Sequence, residues 1–285
     1  MFDEVNRKKK GYEKGIVISF VIIGIAFITF IPVGMSGTMP FVNMIFFMGG
    51  GLMSIYFTSQ IKKLSNEFKA KYVEPELQKI FPGSEFFFDT GFTEEEVVNT
   101  KLLHRQDRFS SEDMIIGNFD GVKFCSSDVH MQDVRKSGKS TTVVTVFQGR
   151  IYEFDFNKNF KYNLLLLQKG QFRPFEGFNK IKMESVVFNS ELKVYAKNDH
   201  EAFYILTPQF MERLLELDHK YSDKISFSFK NNKLFIAVDN RIDNFDIKAF
   251  KIVDSTIFDS YLQEFLDMKE FIVLLKLNSR LFKEF

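Results

Sequence analysis

A chain of 285 residues with 38 Lys and Arg against 37 Asp and Glu has a formal charge of +1, so no basic surplus draws it to nucleic acid, whose phosphates are bound by clustered cations. The single cysteine, Cys125, excludes an internal disulfide and fits a reducing compartment. His104, His130, His200 and His219 are nowhere at metal-ligand spacing, which argues against a structural zinc.

Residues 1–14 form a basic segment with Arg7, Lys8, Lys9, Lys10 and Lys14, and residues 16–57 then contain no Asp, Glu, Lys, Arg or His. Two runs, 15–33 and 39–57, are each about nineteen residues long, enough at 1.5 Å per residue to cross about 30 Å of hydrocarbon. Gly34-Met35-Ser36-Gly37-Thr38, between Pro32 and Pro40, has turn chemistry. Residues 15–57 therefore read as a transmembrane hairpin in a lipid bilayer. Lys62, Lys63, Lys69 and Lys71 follow it and the connecting turn is uncharged, so the positive-inside rule puts both termini in the cytoplasm of a multi-pass inner-membrane protein. A cleaved signal would need a small-x-small site before Pro32 and no second span. Ser19, Thr29, Asn43 and Ser54 can bond along or across the pair, and Gly49-Gly50-Gly51 with Gly24 and Ala26 opposite would permit close approach. Spans without ionisable groups suit an anchor better than a conduction path.

Residues 58–81 continue as a helical juxtamembrane linker, with Ile61, Leu64, Phe68 and Tyr72 on one face, re-angled near Pro75 and stopped by Pro82-Gly83. The remainder, 82–285, reads as a cytoplasmic α+β domain, a mostly antiparallel sheet with flanking helices. Thr93-Glu94-Glu95-Glu96 is a capping box, opening a helix that carries Val97, Val98, Leu102 and Leu103 to about His104. Strand runs follow at 114–117, 122–125, 141–147, 151–156 and 163–168, separated by Asp120-Gly121, Ser137-Gly138, Gln148-Gly149 and Asn157-Lys158-Asn159. Aromatic residues at 152, 154 and 156 alternate with Glu153 and Asp155, which implies one wet face. After a loop at 171–178, strands are expected at 183–188 and 192–196, then a short element at 202–206. Thr207-Pro208 opens a helix with Phe210, Met211 and Leu214. Asn231-Asn232 joins a hairpin of 225–229 and 234–238, since Asn tolerates the left-handed backbone that turn needs. A long amphipathic helix is expected over 258–281, with Leu262, Phe265, Leu266, Ile272 and Leu275 on its apolar face.

Chemistry is sparse. Gly138-Lys139-Ser140 is the tail of a P-loop, but Asp133 stands where the first glycine belongs and a β-branched run follows where a helix should. Cys125 and His130 lie five apart in an apolar run, a packed cysteine rather than a nucleophile. Asp128, Asp133 and Asp199 could supply carboxylates to a cleft, but nothing in the sequence pairs them. No catalytic, cofactor-binding or metal residue is assigned, and no cofactor is expected.

Several stretches resemble a bacterial family catalogued as the domain of unknown function 3137. They are Asp113-Met114-Ile115-Ile116-Gly117, Ser127-Asp128-Val129, Phe147-Gln148-Gly149 through Asp155-Phe156-Asn157, Val194-Tyr195-Ala196 with Asp199, Tyr204-Ile205-Leu206-Thr207-Pro208, and the final 275–281 segment with Leu277-Asn278. The chain departs from the family pattern at Gln148, where Lys is usual, and at Leu281, where Trp is frequent. The resemblance implies two spans before the domain and a neighbouring LemA-like membrane protein as partner, and it implies no activity. The expectation is a non-catalytic module, anchored in the inner membrane, that binds a membrane protein or itself. The alternatives are a membrane-tethered enzyme, such as a hydrolase, built on Asp128, His130 or Asp199, and a pore or transport subunit lined by Asn43.

Overall fold

The structure, a computed structural model, describes residues 1–36, 40–138, 140–156, 163–168, 176–222, 224–241 and 247–278, with the backbone alone for 30–36 and 40–41. The expected turn at 34–38, the Asn157-Lys158-Asn159 separator, most of the 171–178 loop, Lys139 and Leu281 lie wholly or partly outside the described residues. Two units make up the chain: Met1–Glu76 with Asn244–Leu262, and Leu77–Asp243 with Gln263–Phe285.

In the first unit, α1 (Phe2–Ser36) and α2 (Pro40–Phe68) run well past the uncharged segments, followed by a π-helical turn (Lys69–Val73); α3 (Glu74–Ile80) begins in the first unit and ends in the second. Pro75 directly follows the π-helical turn, so its missing N–H falls where the α-helical ladder is already interrupted, and the helix continues through it to Ile80. Phe2–Thr29 and Val42–Ile80 are long and apolar enough to be membrane spans, yet only 22% and 11% of their most apolar windows are buried. A soluble core helix of that composition would be the reverse. A Cβ on Gly15 would meet the Phe57 ring at 2.4 Å, and one on Gly50 would meet Ile23 at 2.7 Å and the Ser19 carbonyl at 3.1 Å, so these two glycines set the approach of the helices. Gly24, Gly49 and Gly51, expected to share that role, meet nothing within 4 Å. Three of the polar groups on α1 and α2 bond as expected: Ser19 Oγ to Ile16 O at 2.6 Å, and Thr29 Oγ1 to Ile25 O at 2.9 Å and to Asn43 Oδ1 at 3.2 Å.

The basic N-terminal segment has a structural role. It clasps residues 247–253 by polar contacts to backbone. Asn6 donates to Val253 O at 2.7 Å and accepts from Val253 N at 2.9 Å. Lys9, 2% exposed, donates to the carbonyls of Lys248 and Lys251 and pairs with Glu13 at 3.0 Å. Glu13 accepts from Phe250 N at 2.7 Å, and Ser65 Oγ accepts from Ile247 N at 3.2 Å.

The second unit is built on one sheet of nine strands: β1 (Glu85–Phe87), β2 (Arg108–Phe119), β3 (Val122–Ser137), β4 (Ser140–Asp155), β5 (Leu164–Gln168), β6 (Asn179–Ile181), β7 (Leu192–Ala196), β8 (Ile225–Lys230) and β9 (Lys233–Val238). Their order is β1-β2-β3-β4-β9-β8-β5-β7-β6, and every described pairing is antiparallel. The helices are α4 (Glu94–Asn99), α5 (Val186–Glu191), α6 (Asp199–Ile205), α7 (Pro208–Lys220) and α8 (Ser255–Leu274), the last belonging to this unit from Gln263 on. The α+β class is as expected.

Local chemistry accounts for most boundaries. Thr93 accepts from Glu96 N while Glu96 accepts from Thr93 N, the reciprocal capping box. Asn231 and Asn232 have φ of 50° and 59°, the left-handed pair of a type I′ hairpin. Several expectations need correction, among them the strand at 122–125, which runs on to Ser137. The helix from Thr93 stops at Asn99 instead of His104, because the chain turns through Lys101 at φ 66°. Residues 183–188 are not a strand: Ser185 caps α5 through Phe188 N, and the Asn189 amide holds both the N–H and the carbonyl of Met183. The long amphipathic helix, α8, begins three residues early and ends at Leu274, while the short element expected at 202–206 is the end of α6. Gln148-Gly149 is not a turn: β4 runs straight through it, and a Cβ on Gly149 would meet Val238 O at 2.0 Å, so glycine there admits the end of β9.

Both sheet faces are covered. Phe92, Val97, Leu102 and Leu103 lie over Met131, Phe147, Ile151 and Leu165 on one face. On the other, Tyr152 packs on Phe271 of α8 with ring centroids 5.0 Å apart, and Phe156 and Phe229 pack on Phe210 of α7 at 6.1 and 5.9 Å. The wet face expected around Glu153 is therefore only local.

Candidate functional site

Register across β2, β3 and β4 brings polar residues abreast. Ser110 pairs with His130 and His130 with Gln148; Glu112 pairs with Asp128 and Asp128 with Arg150. Because side chains alternate along a strand, Asp128 and His130 share a face. Ser110, Glu112, Asp128, His130, Gln148 and Gly149 line a cleft of about 70 Å³. That volume holds a few waters, whereas pockets that enclose small-molecule ligands are about 300–1,000 Å³.

Beside Asp128 lies Arg150, 2% exposed. Its Nε donates to Ser126 Oγ at 3.2 Å, Nη1 to Asp128 at 3.1 Å and to Glu264 of α8 at 3.2 Å, and Nη2 to the Asp113 carbonyl at 2.7 Å. Burial opposes its charge, but the carboxylates of Asp128 and Glu264 outweigh that and hold the guanidinium protonated. Asp113 has φ of 57° in the bulge between Glu112 and Ile115, which turns its carbonyl to the guanidinium. One cation thus stitches three strands to α8, a structural use of the charge.

The chemistry of the cleft is restrained. Asp128 is engaged by Arg150, and Ser111 Oγ is bonded to Ser127 Oγ at 3.0 Å and donates to Asp128 O at 2.7 Å. His130 Nε2 lies 3.4 Å from Thr145 Oγ1. Asp199 does not join: it opens α6 after β7, five strands from β3 in sheet order, which is about 24 Å at 4.8 Å per strand. Asp133 sits further along β3, where the Arg135 side chain holds its carboxyl below the usual range. Cys125 is on the opposite face from His130, packed against the α4-side core. Burial first and then Glu153 push its thiol up to about 12, so it is no nucleophile. Gly138 is a hairpin turn at φ 60° with strand on both sides, not a phosphate loop. Among the described residues no three His, Cys, Asp or Glu cluster as a metal site.

Asp128 and His130, named in the sequence only for an alternative site with Asp199, lie on one cleft, whereas Arg150, Glu264 and Glu112 were not singled out. A signal for two of them was present. Arg150 has the parity of Tyr152 and Phe154, and Glu264 the helical spacing of Tyr261, Met268 and Phe271, so each is a lone charge on an apolar face.

A comparison with curated proteins found no match. Among solved structures the chain is similar to the mycobacterial trehalose monomycolate transport factor A, TtfA, at 10% identity and a TM-score of 0.37, covering 72% of this chain and 96% of that one. A TM-score of that size does not establish a shared fold. A family model described as Protein of unknown function (DUF3137) matches residues 145–277, from the middle of β4 to just past α8, leaving the Asp113 and Ser127 stretches of the resemblance outside it. The chain therefore carries a DUF3137 domain over residues 145–277.

Proposed function

We propose that the chain is a membrane-anchored, non-catalytic interaction module: α1 and α2 cross the inner membrane as a hairpin, both termini are cytoplasmic, and the sheet unit engages a membrane protein or a second copy. The observation that carries the reading is the exposure of the uncharged helices, with Phe20, Phe27, Ile28, Ile45, Phe46 and Leu52 all more than half exposed. Water would not tolerate so large an apolar surface, and lipid requires it. The β3–β4 hairpin supports the second half of the reading. It continues through Ser137 and Ser140, whereas β2 pairs with β3 only as far as Gln132 and β9 with β4 only from Arg150. A two-stranded ribbon with exposed Thr141, Thr142 and Val143 is thereby offered for strand or side-chain contact.

Reporter fusions after Phe285 and at the hairpin turn test the topology: an active cytoplasmic reporter at the C-terminus and an external one at the turn are expected, and the reverse overturns it. A photocrosslinker at Val143, used in native membranes, is expected to give a discrete adduct with another membrane protein or with the same chain. A second reading, a tethered hydrolase, is favoured by one fact, that Glu112, Asp128 and His130 do converge on one cleft. Turnover in a substrate screen, abolished by His130→Ala with the fold intact, would replace the first reading by the second.

A further inference from the structure

We propose that Phe250 is an interfacial anchor, an aromatic ring held at the tip of a turn so that it enters the headgroup and upper acyl region of the bilayer beside the cytoplasmic end of α1. The proposal rests on the reading of α1 and α2 as membrane spans.

Residues 250–253 run antiparallel to α1. Val253 is bonded to Asn6, the Lys251 carbonyl to Lys9, and the Phe250 amide to Glu13, so the segment climbs towards Gly15 and turns back at Phe250. The turn is closed by Lys251 N to Lys248 O at 3.4 Å. Glu13 is two residues, about 3 Å of rise, before the uncharged run begins. The same level is marked on α2 by Phe57, whose ring fills the space at Gly15, and by the exposed Tyr56. Aromatic rings at both rims are a regular feature of membrane proteins.

Two properties of Phe250 set it apart from an ordinary exposed hydrophobe. Its φ is 61°, a left-handed conformation that turn chemistry assigns to Gly or Asn, and its side chain is 63% exposed. Strained backbone carrying a large exposed apolar group is explained when that group has a partner outside the chain. Lys248 and Lys251 flank it in sequence, and basic residues around an aromatic one suit an anionic headgroup layer. Ile252 supplies the internal reference. It is 77% exposed, but it adjoins Val253 at the level of Asn6, about 13 Å below Gly15, outside the acyl region.

The chain contains no tryptophan, so a single Trp reports on one site. Phe250→Trp, Ile252→Trp and Phe20→Trp proteins, full length, are reconstituted into phosphatidylcholine–phosphatidylglycerol vesicles with or without lipids brominated near the headgroup end of the acyl chain. Expected is a blue-shifted F250W emission quenched at least about twofold more than I252W, with F20W quenched as well. If F20W is quenched and F250W behaves like I252W, the anchor is overturned and the spans stand. If F20W is not quenched, the span reading falls and the anchor with it. An F250W emission shielded from aqueous iodide but untouched by brominated lipid means that protein covers the ring, and also overturns the proposal. Should F250W fail to fold, a nitroxide on Phe250→Cys in a Cys125→Ser background gives the same ordering through its accessibility to oxygen against a water-soluble nickel chelate.

Discussion

Replacing Arg150 by methionine keeps most of the aliphatic stem and removes four donated hydrogen bonds at once, to Ser126, Asp128, Glu264 and the Asp113 carbonyl. Hydrogen bonds to charged groups contribute about 1.5–3 kcal/mol each, so their sum, roughly 6–12 kcal/mol, is an upper bound. Two effects reduce it. The Asp128 side chain is 20% exposed and can rehydrate, and methionine needs no desolvation of a guanidinium. Glu264, 11% exposed, is left facing Asp128 with no cation between them, and breaking a buried pair from one side costs about 3–5 kcal/mol. At roughly 2–4 °C per kcal/mol for a unit of this size, the melting temperature should fall by about 6–20 °C. Thermal unfolding of the full chain in detergent, followed by circular dichroism, measures the change. Glu264→Gln alone should also destabilise, but in the Arg150→Met background it should cost little or even stabilise, a coupling of about 1–3 kcal/mol. A loss below about 1 kcal/mol for R150M, or two variants whose effects merely add, would show that this charge does not hold the strands to α8.

Other outcomes follow from the same geometry. With its thiol pushed up to about 12, Cys125 should alkylate at pH 8 some hundred- to a thousandfold more slowly in the folded chain than after denaturation, the rate still rising with each pH unit; a plateau near neutrality would contradict the burial. Gly149→Ala, whose methyl meets the Val238 carbonyl, should cost about 1–3 kcal/mol by the same unfolding assay, because backbone cannot move aside cheaply. Lys9→Met should free residues 247–253 of the first unit, seen as faster hydrogen exchange at Phe250 and Val253 amides with the span amides unchanged. Burial raises the carboxyl of Asp239 above its ordinary 3.8 despite the Gln148 amide and Arg241. The folded state therefore holds that proton more tightly than the unfolded chain, and stability falls as pH rises from 3.8 through the folded value. Melting temperatures of Asp239→Asn and the parent over that window should move in favour of the variant as pH rises, and a constant difference would refute the linkage.

What the sequence disclosed depended on whether the determining interaction was local. The capping box at Thr93, the Asn231-Asn232 turn and the Thr207-Pro208 helix start are decided within a few residues, and each was readable, as were two long apolar helices at the N-terminal end. β3 and β4 were cut short because their outer halves are ordinary polar and β-branched residues whose pairing with one another is the only thing that makes them strand. Gln148-Gly149 looked like punctuation because a glycine needed for close approach cannot be told from one needed for a turn. The convergence of Asp128 with His130 follows from alternation, but the place of Arg150 between them and α8 requires a pairing 114 residues apart. The clasp of residues 1–14 on 247–253 left no local trace.

That clasp joins amino acids 247 positions apart at Asn6 and Val253. During translation the helical hairpin leaves the ribosome first, while the seven residues that embrace Lys9 are not yet made and the whole sheet must be synthesised between them. Until then the Lys9 ammonium and the Asn6 amide face water, and any product truncated before residue 247 never acquires this closure.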